Sequence, residues 1–149
     1  MSRWQVRVLH GPLFMTPYEI FEHTADVGIK ISGSVPEEIF TSAAKGMFDI
    51  IADTRRIKPK EPIEIEQEAQ GYAELLRQWL QELLYQYSVT GILFKEFSVR
   101  SLSPRAIKAV AWGDKAPDKI KTEIKAVTYC ELEFQQTKDG FEARVIFDV

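Results

Sequence analysis

The stretch Tyr72-Ala73-Glu74-Leu75-Leu76-Arg77-Gln78-Trp79-Leu80-Gln81-Glu82-Leu83-Leu84-Tyr85-Gln86-Tyr87-Ser88 decides the fold class. Leu75, Leu76, Trp79, Leu80, Leu83, Leu84 and Tyr87 recur at steps of three and four, which puts them on one face of a helix. The spacing predicts an amphipathic helix over 72–88 whose apolar stripe belongs to a core. An aromatic-bearing stripe also suits a partner surface, and periodicity alone does not separate the two.

A second helix is predicted upstream. Ser34-Val35-Pro36-Glu37 has the spacing of a capping box, a hydroxyl and a glutamate three apart. Ile39, Phe40, Ala43, Ala44, Met47, Ile50 and Ile51 then recur at helical spacing, ending near Ala52. Around the helices lie strand-like segments at 18–22, 27–32, 63–66, 94–102, 106–112, 123–135 and 141–149. In the second of these Val27, Ile29 and Ile31 alternate with Gly28, Lys30 and Ser32, as in a strand with one buried face. Lys138-Asp139-Gly140 signals a hairpin between the last two. Residues 53–62, with Pro59, and 113–121, with Pro117, read as loops.

The predicted order is β-β-α-β-α-β-β-β-β. It implies one α+β domain, a mostly antiparallel or mixed β-sheet with two amphipathic helices packed on it. A length of 149 residues suits a single domain. That domain is expected over residues 17–149. Residues 1–16, with the breaker Gly11-Pro12, are expected to form an N-terminal extension or a first strand.

Composition narrows the functional classes. A net charge of −3 argues against tight phosphate-driven binding to bare nucleic acid, so a protein partner is expected before an RNA partner. One cysteine, Cys130, excludes an intramolecular disulfide. With only His10 and His23 beside it, a Cys/His zinc cluster is excluded too. No apolar run approaches the ~18 residues of a membrane span, and the start Met1-Ser2-Arg3-Trp4 lacks the apolar stretch of a signal peptide. A cytoplasmic protein is expected. Walker A, GxGxxG, GxSxG and HExxH patterns are all missing, which removes the common nucleotide-binding and hydrolase readings.

Three segments carry candidate chemistry. In His23-Thr24-Ala25-Asp26-Val27-Gly28, Asp26 suits a hard cation or a general base. The same Asp and Thr also suit a turn, bonding nearby amides. His23 is a proton carrier or a hydrogen-bonded structural histidine. At the C-terminus an apolar strand ends in Asp148 and then Val149 with its main-chain carboxylate. If Asp26 approaches them, three carboxylates converge and favour Ca²⁺ or Mg²⁺; otherwise the end is a solvated acidic terminus. In Glu123-Ile124-Lys125-Ala126-Val127-Thr128-Tyr129, Lys125 lies between apolar neighbours on an expected strand. It suits phosphate contact if partly desolvated, or is simply a lysine on a wet face. Cys130 reads as a small buried or half-buried residue rather than a nucleophile. The basic run 55–60 reads as a solvated loop.

These segments, taken with Ala43-Ala44-Lys45-Gly46-Met47-Phe48, Ala52-Asp53, Leu75-Leu76, Trp79-Leu80, Glu82-Leu83-Leu84-Tyr85 and the closing Phe147-Asp148-Val149, resemble the archease family in order, across residues 18–149. The resemblance implies a non-catalytic cofactor that activates an RtcB-type tRNA-splicing RNA ligase. It would promote guanylylation of the ligase and multiple turnover in joining tRNA halves. It also implies a bound divalent cation, typically Ca²⁺, with Mg²⁺ or Mn²⁺ as other choices. The implied ligands are Asp26, Asp148 and the carboxylate of Val149, with Lys125 as the lysine important for activation. Asp53 is a nearby acid without an assigned role. Relatives often carry histidine where this chain has Cys130, so that position receives no role. The first 14 or so residues have no counterpart in the family pattern. Two other readings stand beside this one. One is a chaperone or modulator of RNA-modifying enzymes such as methyltransferases. The other is an enzyme using Asp26 and His23 as an acid–base pair.

Overall fold

The computed structural model describes residues 17–23 and 26–149. The expectations for residues 1–16 and for the Thr24-Ala25 turn lie outside the described residues. In chain order the elements are β1 (Tyr18–His23), β2 (Asp26–Gly33), α1 (Pro36–Ile51), β3 (Glu61–Glu68), α2 (Tyr72–Thr90), β4 (Ile92–Ser103), β5 (Ala106–Lys115), β6 (Ala126–Val127), β7 (Glu133–Thr137) and β8 (Gly140–Asp148). A short 3₁₀ turn, Pro117–Lys119, lies in the expected 113–121 loop.

The apolar stripe of α2 is core: Leu75, Leu76, Trp79, Leu80, Leu83, Leu84 and Tyr87 are all buried. The predicted stripe of α1 is buried as well, apart from Ile50, which is half-buried. The capping box does not form. The N-cap of α1 is Val35, with no side-chain cap, and Pro36 occupies the first turn. Proline there has a preset φ and lacks an N–H that would need a partner, so the helix starts one residue later than the hydroxyl pattern predicts.

The strands form two sheets rather than one, and every pairing is antiparallel. The first has the order β1-β2-β8-β6, with β7 also pairing β8; the second has the order β3-β5-β4. Helix α1 packs on β2 of the first sheet and β4 of the second, and α2 packs on β3, β4 and β6. The helices thus join the sheets into a single core. Phe48 on α1 meets Phe94 of β4 edge-on, with ring centroids 5.5 Å apart, and Trp79 on α2 meets Phe97 at 6.1 Å.

The single strand expected over 123–135 is broken. Residues 126–127 pair with 148–147, and 133–137 pair with 144–140. Residues 128–132 therefore bulge out against 145–146 of β8. Thr128 holds the bulge, because its N–H and its hydroxyl both donate to the Ile146 carbonyl at 3.0 Å, while the Cys130 N–H donates to Thr128 Oγ1 at 3.2 Å. Glu131 turns the chain back with φ 51°. Cys130, expected buried or half-buried, is exposed because it rides on this bulge. Lys125 lies just before β6 rather than inside a strand and is exposed, which agrees with the wet-face alternative and not with partial desolvation.

The Lys138-Asp139 hairpin turn forms as predicted, with Thr137 opposite Gly140. Gly140 takes φ 149°, and a Cβ there would collide with the Gly33 carbonyl. The hairpin thus rests directly on the end of β2.

Candidate acidic site at the sheet end

Pairing brings distant residues into one row. His23 of β1 stands opposite Asp26 of β2, Asp26 opposite Asp148 of β8, and Asp148 opposite Ala126 of β6. Residues directly opposite across a ladder point to the same face, with Cβ atoms about 4.5–5.5 Å apart. The next row in, Val27, Phe147 and Val127, is buried under the helices. Alternation therefore turns Asp26 and Asp148 to the outer face of the sheet, away from the core.

Both aspartates are half-buried. Neither is within ion-pair distance of a lysine or arginine among the described residues. Like charges directly opposite each other in a ladder are destabilising, so a cation bound between the two carboxylates would relieve their repulsion. One row further along the same face lie Phe21, Gly28 and Ile146. A Cβ on Gly28 would collide with the Phe21 ring and with Ile146 Cδ1, and Ile146 is 1% exposed. The acidic row therefore borders an apolar floor, which limits how far water can screen it.

Lys125 joins the site through its backbone. Its N–H donates to the Asp148 carbonyl at 2.7 Å, so its side chain starts beside the acidic row without pairing to it. The following Val127 is held by helix α2 instead of by another strand. Gln81 Oε1 accepts from the Val127 N–H at 3.1 Å, and Arg77 Nη1 donates to the Val127 carbonyl at 3.1 Å. The Arg77 guanidinium also lies 4.0 Å from the Tyr129 ring centroid, and the Tyr129 hydroxyl donates to Glu74 Oε1 at 3.1 Å. Sequence reading missed Gln81 and Arg77 as supports of this segment. They sit on α2 between stripe positions, and only tertiary packing aims them at β6.

The sequence-based residues thus divide. Asp26, Asp148 and the Lys125 backbone come together, and half-buried Val149 follows Asp148. Asp53 does not join them. Its carboxylate is taken by Arg55, through Nε at 2.9 Å and Nη2 at 2.8 Å, with the Arg55 N–H at 3.2 Å. That contact holds the Asp53 carboxyl well below the usual carboxylate range. His23 enters the row by backbone pairing.

The donor set at the row is oxygen-rich and hard, which suits Ca²⁺ or Mg²⁺. Among the described residues no three His, Cys, Asp or Glu side chains gather as a metal-binding group. The two aspartates fit as part of such a set and need further oxygen donors, of which the carboxylate expected on Val149 is one.

Among the described residues no helix is long and apolar enough to cross a membrane. The sequence matches the Archease protein family over residues 18–149. It is 40% identical to protein archease of Methanosarcina barkeri, over 89% of this chain and 95% of that protein. It is 35% identical to protein archease of Pyrococcus furiosus, over 91% of this chain and 100% of that protein. Among solved structures it resembles protein 1598 of Methanobacterium thermoautotrophicum, with a TM-score of 0.80 and 31% identity over 91% of this chain and all of that one. The fold also matches, with a TM-score of 0.64 and 22% identity over 96% of this chain and 99% of that one, a Thermotoga maritima crystal structure described as an archease, possible chaperone. With the acidic row at the end of its first sheet, this chain belongs to the Archease protein family.

Proposed function

We propose that this chain is a non-catalytic activator of an RtcB-type RNA ligase, working through the acidic row and Lys125. The observation that carries the reading is the register: Asp26 stands directly opposite Asp148, and the Lys125 N–H bonds to the Asp148 carbonyl. In this reading Asp26, Asp148 and the carboxylate of Val149 hold a hard divalent cation, Ca²⁺ or Mg²⁺. Bound there, a cation neutralises the facing carboxylates and offers a positive centre to phosphate oxygens. Lys125, its side chain exposed and its backbone N–H fixed on Asp148, contributes a second positive group to the same tip. In this reading the row, at the end of the sheet and on its outer face, meets the partner's cleft.

The test is a ligation assay. A cognate RtcB-type ligase at low concentration, with GTP and Mn²⁺, receives cleaved tRNA halves with and without this protein. Multiple turnovers are expected only with it, and Asp148→Asn is expected to abolish them. The same variant should lose the Ca²⁺-induced rise in Tm. In chelator it should be as stable as the parent, or more stable by up to about 1 kcal/mol, because the facing charges are relieved. A folded Asp148→Asn protein with full activity overturns the reading. Stabilisation of several unrelated RNA-modifying enzymes, with no effect on the ligase, would favour the chaperone reading instead.

A further inference from the structure

A cleft of about 550 Å³ lies between the C-terminal half of α2 and the 115–125 segment. Its floor is apolar: Leu84, Tyr87 and Ile124 line it and are 5–7% exposed. Its mouth is apolar as well. Tyr85, 56% exposed, and Ile120, 36% exposed, line the rim, and Val89, one helical turn beyond Tyr85, is 63% exposed. These are three of the five large hydrophobic side chains exposed among the described residues, so the exposure is concentrated here rather than scattered.

The rim is also positive. Lys115 and Lys125 line the cleft. Neither forms an ion pair among the described residues. The one acid in the lining, Glu123, accepts from the Tyr87 hydroxyl at 3.0 Å. A chain with a net charge of −3 thus sets two lysines beside the exposed apolar side chains of this cleft.

We infer that this cleft docks an acidic segment of a partner protein, seating apolar side chains on Leu84 and Ile124 and setting its carboxylates against Lys115 and Lys125. The complementarity decides the class of occupant. An aliphatic floor suits protein side chains, and cationic rims steer and orient acidic partners. A nucleic acid is less well matched, because the lining has no arginine and one exposed aromatic ring, whereas strand-binding grooves stack successive bases. The inference uses neither Asp26 nor Asp148 and shares only Lys125 with the activator reading, so its test rests on Lys115 and Tyr85 instead.

The test titrates the full ¹⁵N-labelled chain with a short glutamate-rich peptide carrying two leucines one helical turn apart. Saturable shifts confined to amides of residues 81–91 and 115–125 are expected. Lys115→Glu and Tyr85→Ser should each keep a folded spectrum, and Lys115→Glu should weaken binding by about tenfold or more. The inference is overturned if the peptide leaves these amides unmoved. It is also overturned if a version with serines for leucines shifts them equally, or if oligouridylate binds there more tightly. None of these readouts involves ligase activity, so failure here leaves the activator reading untouched, and the reverse also holds.

Discussion

At the residue scale, burial and then long-range partners shift two tyrosines. Tyr87 is 7% exposed, and its hydroxyl donates to Glu123. Burial first, then the hydrogen bond and charge of Glu123, push its pKa from the ordinary 10.0 up to about 12. Tyr18 is raised as well, by burial and then by its contact with Asp49. A raised pKa means that the folded protein keeps a proton the unfolded chain gives up. Between pH 10 and 12 the native state therefore binds more protons, and stability falls as pH rises. Below that window the contribution is fully present. Thermal unfolding followed from pH 9 to about 12 should show Tm falling above about pH 10. Tyr87→Phe should flatten that fall without abolishing it, because Tyr18 remains; an unchanged slope would mean that Tyr87 does not titrate with folding. Nothing local in the sequence announces either pair, since Glu123 and Asp49 lie far along the chain from their tyrosines. The same holds for Asp26 and Asp148. Spacing alone left them a turn residue and a chain-end acid, and family resemblance, rather than periodicity, marked them as partners.

At the scale of elements, the informative case is β6, two residues long and edge-on to α2. Its Val127 N–H and carbonyl are both satisfied by helix side chains, Gln81 and Arg77, which substitute for a neighbouring strand. Gln81→Leu should leave the buried Val127 N–H without an acceptor, at a cost of roughly 1–3 kcal/mol. Urea unfolding would read that loss, and amide exchange at Val127 should accelerate more than at Phe147. On the proposed activator reading, a positioning role for Gln81 also predicts weaker ligase activation, since β6 and the Lys125 backbone hold Asp148. If Val127 exchanges as slowly as before, the clamp is not what holds β6. Elements with strong periodicity were legible. The helix predicted over 72–88 forms as Tyr72–Thr90, and the one predicted to end near Ala52 runs Pro36–Ile51. The break in the 123–135 strand was not legible, because it depends on Thr128 bonding to Ile146 and on Glu131 adopting a positive φ. Neither leaves a mark in an alternating pattern, and a glutamate is not a residue that advertises such a turn.

At the scale of the whole molecule, periodicity identified faces but could not say how many sheets they would cover. A stripe of apolar residues is equally satisfied by one broad sheet or by two. The structure uses two, and the helices are what both of them share. Trp79 shows how closely the parts depend on one another. It lies on α2, is 0% exposed, donates its indole N–H to the Phe40 carbonyl of α1 at 3.0 Å, and packs its ring against Phe97 of β4. Removing it empties a large volume at the junction of both helices and the second sheet. Trp79→Ala should cost about 3–5 kcal/mol. Where that loss is felt tests the architecture. If the sheets share one core, the opening free energies of Ile29 in β2 and Ala111 in β5, both 0% exposed, should fall together and by similar amounts in native-state amide exchange. If the first sheet were a separate unit, Ile29 would keep its protection while Ala111 lost it. The acidic row belongs to the first sheet, so a joint fall would also mean that the geometry of Asp26 and Asp148 depends on packing in the second.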